Sequence, residues 1–164
     1  MTGKINQIPC QKIISGGQTG VDRGALDACL EDNFDCGGWC PNGRLAEDGK
    51  IPENYPLKEM KEKDYSFRTR QNVIDSDGTL IIAPANLTGG TILTRQYTTE
   101  QKKPLLIISS EQDIQSITKW LTTNNIKTIN VAGPRLSEWN EGYLISFSII
   151  SKLINEIKKI STDI

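Results

Sequence analysis

Four apolar runs limit what this chain can fold into: Lys12–Ser15 (KIIS), Thr79–Ala83 (TLIIA), Pro104–Ile108 (PLLII) and Thr128–Ala132 (TINVA). None shows the in-and-out alternation of a strand with one wet face. A strand apolar on both faces must be covered on both, which is the condition of a parallel sheet between helices. The segments between the runs have helical spacing. In Gly20–Glu31, Val21, Ala25, Ala28 and Cys29 share a face, with Asp22, Arg23, Asp27 and Glu31 elsewhere. Thr91–Gln101, a helix opening at Asp113 with the stripe Ile114, Ile117, Trp120 and Leu121, and a last helix over Glu141–Ile160 complete the series. A fifth, shorter strand is expected around Cys36–Cys40, and a short helix over Phe67–Ile74. The expected fold is one α/β domain over residues 1–164: a doubly wound, mostly parallel, Rossmann-like sheet with helices on both faces. Right-handed crossovers then bring every strand-to-helix loop to one edge, where such sheets bind ligands.

Three of those loops carry glycines. Ser15-Gly16-Gly17-Gln18-Thr19-Gly20 follows the first strand, Thr88-Gly89-Gly90-Thr91 follows TLIIAPA, and Gly133-Pro134-Arg135 follows TINVA. Glycine lets backbone N–H groups approach a ligand, and a helix N-terminus behind each turn adds positive partial charge. Three such turns around one crevice predict a cradle for a phosphate or another oxyanion. The first loop matches neither the phosphate-binding P-loop nor the full dinucleotide fingerprint. Thr19 and Asp22 also fit a capping box, and glycine serves tight turns for steric reasons alone.

The absent residue types are as informative. The 164 residues include no histidine, which removes Ser-His-Asp and Cys-His catalysis and His-ligated zinc. A net charge of −1 supplies no global field for nucleic acid or an anionic membrane. Met1–Gln11 is polar, and no apolar stretch reaches the length of a membrane span, so a cytoplasmic address is expected. Cys10, Cys29, Cys36 and Cys40 are expected as free thiols, since a chain with its own core does not need disulfides. The Cys36–Cys40 spacing does not make a metal site, and no metal is expected.

Pro41–Lys63 has no clean period and five Pro or Gly residues. Loops this long in a compact domain are often functional. Arg44, with Glu47 and Asp48, reads either as a lid with Arg44 on a phosphate or as a solvated loop. Arg68, Arg70, Asn72, Asp75 and Asp77 precede a strand and are expected at the edge opposite the crevice, as structural residues unless their helix folds over the sheet edge or serves a neighbouring subunit.

SGGQTGVDRGALDACL, GGWCPNGRLAEDGKIPENYPL, RTRQNVIDSDGTLII, LTGGTILT and NVAGPR occur in that order. Together they resemble the molybdenum carrier family, similar to the molybdenum cofactor carrier of algae, over about Lys12–Tyr143. That family falls in a Rossmann-like group with the lysine decarboxylase-like Lonely-guy phosphoribohydrolases and the DNA-uptake protein DprA. The resemblance implies a pterin-phosphate ligand such as molybdopterin, or a nucleotide, and a homo-oligomer, dimer or tetramer. It carries a binding role onto Gly16, Gly17, Gln18, Thr19, Gly20, Thr88, Gly89, Gly90 and Thr91. The residue reading adds Asp22, Arg44, Gly133 and Arg135. The hydrolase relatives read Pro-Gly-Gly-x-Gly-Thr-x-x-Glu where LTGGTILTRQ lacks the third glycine and has Thr94-Arg95 near the acid's place. A non-catalytic carrier of a small phosphorylated ligand is the leading reading. A nucleoside-phosphate hydrolase or transferase using Asp22, Glu47, Asp48 or Asp77, and a ligand sensor, are the alternatives.

Overall fold

The computed structural model describes residues 7–110 and 114–162. Asp113, expected to open a helix, and the first six residues of the polar N-terminal stretch lie outside them. Five strands form one sheet: β1 (Lys12–Ile14), β2 (Cys36–Gly37), and three more numbered below by chain order as β7 (Gly78–Ile82), β8 (Leu105–Ile108) and β9 (Thr128–Ala132). Every pairing is parallel, in the order β2-β1-β9-β7-β8. Ile13 pairs with Ile129, and Ile81 with Ala132. Counted from β7 onward and continued from β9 to β1, this is the doubly wound order 2-1-3-4-5. The fold is therefore Rossmann-like with its elements circularly permuted along the chain. In such a sheet the ligand crevice opens outside the carboxyl ends of the strands where the winding reverses. Here that place lies between β7 and β9.

Helices cover both faces. α1 (Val21–Glu31), α4 (Ile114–Thr123) and α5 (Gly142–Thr162) share the main core with Ile13, Leu80, Ile82, Ile129 and Val131. On the other face α2 (Tyr65–Asp75) packs against α3 (Gly89–Glu100). That second face is unusually polar: Thr69, Asn72, Thr79, Thr91, Thr94, Thr98 and Asn130 are all buried. Asn130 donates to Thr79 at 3.3 Å, and the α3 threonines at 94 and 98 donate back to carbonyls within the helix. The four cysteines are free thiols, three of them buried. Among the described residues, no helix is long and apolar enough to cross a membrane.

Two expectations change. Cys36–Cys40 is not one strand. It breaks at Gly38, whose φ of 127° and contact with Ser15 leave no room for a side chain. The chain leaves the sheet there as β3 (Trp39–Cys40). Nor is Pro41–Lys63 a lid or a solvated loop. It forms the hairpin β4 (Leu45–Ala46) and β5 (Gly49–Lys50), and β6 (Lys58–Glu59), which pairs parallel with β3. A small core of Cys40, Ala46, Ile51 and Tyr55 seats this unit on Leu26 of α1.

Candidate functional site

At the β7/β9 switch point lies a cavity of about 70 Å³. That is room for about two waters, the size class of one oxyanion head group and far below a whole cofactor. Its walls come from four places: Gln18 and Asp22 after β1, Tyr65, Arg68 and Thr69 of α2, Gly90, Thr91 and Thr94 of α3, and Gly133, Arg135 and Glu138 after β9.

Arg68 is the residue the sequence reading placed elsewhere. A helix that feeds a parallel strand must run antiparallel to it. Eleven helical residues span about 16 Å, the length of a five-residue strand. So while Asp77, at the β7 entrance, caps the start of β9 by accepting from the Lys127 and Thr128 amides, the first turn of α2 reaches the opposite, carboxyl edge. There the Arg68 guanidinium lies over Gly16. A Cβ on Gly16 would fall 2.6 Å from Nη1 and 2.8 Å from Cζ. The guanidinium also faces the Tyr65 ring at 5.6 Å and donates to Thr69 Oγ1 at 3.0 Å.

Two buried side-chain polar atoms among the described residues have no partner: Arg68 Nε and Thr91 Oγ1. Their residues line the same cavity. Buried donors are almost always satisfied, and leaving one unmade costs about 1–3 kcal/mol. The α3 N-terminus points its first turn here too. Its cap, Thr88, makes no side-chain bond, and space beyond the Cα of Gly90 is open. Asp22 is 4% exposed and accepts from the Gln18 amide at 3.2 Å. Burial pushes its carboxyl up from the ordinary range, against the nearby Arg68 guanidinium and the Gln18 amide, which pull it down.

The remaining expected residues divide by what they touch. Gly17, at φ 79°, faces Leu57 and Ile51 rather than the cavity. Gly20 and Gly133 are small for packing: a Cβ would meet the backbone of Pro134 in one case and of Ile82 in the other. Gly89 has Glu138 Oε1 beside it, and Arg135 Nε lies 3.6 Å from that same oxygen. The Thr19–Asp22 capping box does not form. Gly20 is the cap of α1, without a side-chain bond, and the Thr19 hydroxyl instead donates to Glu47 and accepts from the Leu136 amide. Gln18 Oε1 accepts from the Thr19 and Glu47 amides.

Arg44 corrects the lid reading most sharply. It is 6% exposed, and its guanidinium donates to the carbonyls of Ile51, Pro52, Tyr55 and Leu57. Four of its five N–H groups are thus spent on the fold rather than on a phosphate. Asp48 forks onto Arg23 at 2.5 and 2.8 Å, and Glu47 accepts from Ser137 Oγ at 2.5 Å, so the pair latch the small unit to the first and third turns. A larger open groove of about 780 Å³ lies on that side, but Arg23, Glu47 and Tyr143 within it are already paired.

The crystal structure of "Putative molybdenum carrier protein" from Syntrophus aciditrophicus SB superposes with a TM-score of 0.89 at 43% identity, over 93% of this chain and 99% of that one. No curated protein matches the chain. Residues 13–154 match the family described as circularly permutated YpsA SLOG. The permuted strand order and that match agree, and the chain belongs to the circularly permutated YpsA SLOG family.

Proposed function

We propose that this protein is a carrier that holds the anionic head of a phosphate-bearing small molecule, a pterin of the molybdopterin type or a nucleotide, without converting it. The observation that carries the reading is the pair of unpartnered buried atoms, Arg68 Nε and Thr91 Oγ1, on one head-group-sized cavity at the switch point. An oxyanion accepts from both, and from the open first turn of α3. The rest of the ligand extends outward, because about 70 Å³ holds no ring system. The molybdenum carrier name of the Syntrophus aciditrophicus protein favours a molybdenum-bearing cargo, and the pterin phosphate and the cytoplasmic address are our reading.

Native mass spectrometry of freshly purified protein, followed by calorimetry with molybdate, sulfate, adenosine monophosphate and a pterin phosphate, tests this. Saturable binding that Arg68→Ala abolishes is expected. Ligand at about 100 times its dissociation constant adds roughly 2.7 kcal/mol of stability, a readily measured rise in melting temperature. Absence of any shift across the panel refutes the reading. Release of free base from the nucleotide would transfer the protein to the hydrolases.

A further inference from the structure

The cavity wall holds two arginines, Arg68 and Arg135, and two carboxyl groups, Asp22 and Glu138. With both carboxylates ionised the wall is neutral overall, and an entering anion brings uncompensated charge into a buried site. Glu138 has a partner in Arg135 and is about one-third exposed. Asp22 is neither exposed nor joined to Arg68 in an ion pair among the described residues. One of its oxygens accepts from Gln18 N. Its other near neighbour is the Ser15 hydroxyl, which like the Gln18 amide favours the ionised form. Ser15 Oγ also stands 2.7 Å from the Val131 carbonyl, which competes for its single proton. The support that the Asp22 carboxylate draws from Ser15 is therefore shared with the Val131 carbonyl.

We infer that an oxyanion enters this cavity together with a proton, which Asp22 carries: the anion takes the Arg68 guanidinium, and Asp22 faces it as a neutral carboxylic acid. This rests on the anion site proposed above. The charges acting on Asp22 are Arg68 from α2 and Arg23 from its own helix, and Arg135 and Glu138 from the segment after β9 share its cavity wall. Arg23 is drawn away to Asp48 and the Gly17 carbonyl. α3 presents no charge in its wall, only Thr91 and Thr94. In the free protein Arg68 holds Asp22 toward the ionised form while burial opposes it. An anion on Arg68 removes that support and adds a like charge, so both changes favour the neutral acid. Affinity then falls as pH rises.

Sulfate is the probe, because it stays a dianion across the range tested and cannot itself supply the proton. Titration calorimetry between about pH 5 and pH 9, in two buffers of different ionisation enthalpy, counts protons taken up. Expected is uptake approaching one proton, with the dissociation constant weakening up to about tenfold per pH unit over part of that range. Asp22→Asn, neutral at every pH and still able to accept from Gln18 N, should bind sulfate with no uptake and a flat profile. Glu138→Gln should keep the uptake. Wild-type calorimetry alone decides the matter if Asp22→Asn fails to fold. Sulfate binding with no uptake and a flat wild-type profile overturns the proton linkage and leaves the anion site standing. Uptake that vanishes in Glu138→Gln and persists in Asp22→Asn overturns the assignment. No sulfate binding at any pH overturns this inference, and the anion site falls with it only if molybdate, adenosine monophosphate and the pterin phosphate also fail to bind.

Discussion

Gly16→Ala separates a glycine kept for a ligand-binding arginine from one kept for the fold. A methyl on Gly16 would sit 2.6 Å from Arg68 Nη1, 2.8 Å from Cζ and 3.0 Å from Nε. Ordinary contact begins near 3.5 Å, so the guanidinium must lift by about 1 Å. What moves is the far end of a flexible side chain, and Gly16 lacks the positive φ that alanine resists. Stability should therefore hold within about 1 kcal/mol, helped by the smaller entropy of the unfolded chain. Binding should not hold. Misplacing a charge-assisted donor forfeits about 1.5–3 kcal/mol, a tenfold to hundredfold loss of affinity for sulfate or adenosine monophosphate. Gly17→Ala is the control one residue away. Its φ is 79°, and its methyl would fall 2.4 Å from Leu57 Cδ1, so it should lose roughly 1–3 kcal/mol of stability with affinity intact within about twofold. Calorimetry for affinity and urea unfolding for stability read the four quantities. If Gly16→Ala binds like wild type, or if Gly17→Ala is the one that loses affinity, the placement of Arg68 over the first turn is wrong.

Thr91→Val replaces an unpartnered buried hydroxyl by a methyl of the same shape, so unfolding experiments should show a gain of about 1 kcal/mol while anion affinity drops. Equal losses in both would mean that Oγ1 has a partner within the fold. Arg44→Met leaves four carbonyls of the small unit without their donor and should cost about 3–5 kcal/mol in chemical denaturation, with affinity unchanged in whatever remains folded. The Glu47 carboxyl is partly shielded from water, which opposes ionisation, but bonds from Ser137 and Thr19 outweigh this and hold it below the usual glutamate range. Its stabilisation is thus present above the unfolded-state value and fades as pH falls through the lower folded value. Being largely solvent-exposed, it is worth under about 1 kcal/mol. Glu47→Gln should flatten that acid limb in a pH series of melting temperatures, and an unchanged limb would assign it to other carboxylates.

The main sheet was legible because parallel strands buried on two faces must be apolar throughout. TLIIA and TINVA differ from the observed β7 and β9 by no more than one residue at an end. The strands β3 to β6 were not legible. Each is two residues long, and Gly49–Lys50 and Lys58–Glu59 are exposed and polar, so no hydrophobic period marks them. What holds them is Arg44, a charged residue turned inward, and sequence alone does not distinguish an inward arginine from a solvated one. Arg68 was misplaced for a different reason. Its segment was positioned by adjacency to β7, whereas the direction of a crossover helix puts its two ends at opposite sheet edges. The signal was available: an arginine in the first turn of a helix about as long as the strand it feeds.

The three glycine turns do converge, but not as three equal donors to a ligand. Gly20 meets the Pro134–Leu136 backbone, and Gly133 meets Ile82 and Val21, so much of that convergence is the turns packing on one another and on the sheet. Gly17 makes room for Leu57 from the small unit. Gly90, with open space before it, and Gly133 line the cavity, and Gly16 serves it through Arg68, which lies over it. The cradle is therefore narrower than the glycine pattern suggests, and it depends on a helix the pattern does not contain. α2 supplies the arginine whose buried Nε has no partner among the described residues, laid across a face of the sheet whose packing is threonine and asparagine rather than leucine. A polar layer there costs core stability, yet it lets Asp22 and the Nε of Arg68 sit buried beside hydroxyls instead of hydrocarbon. That environment allows a proton and an anion to be exchanged together at the switch point.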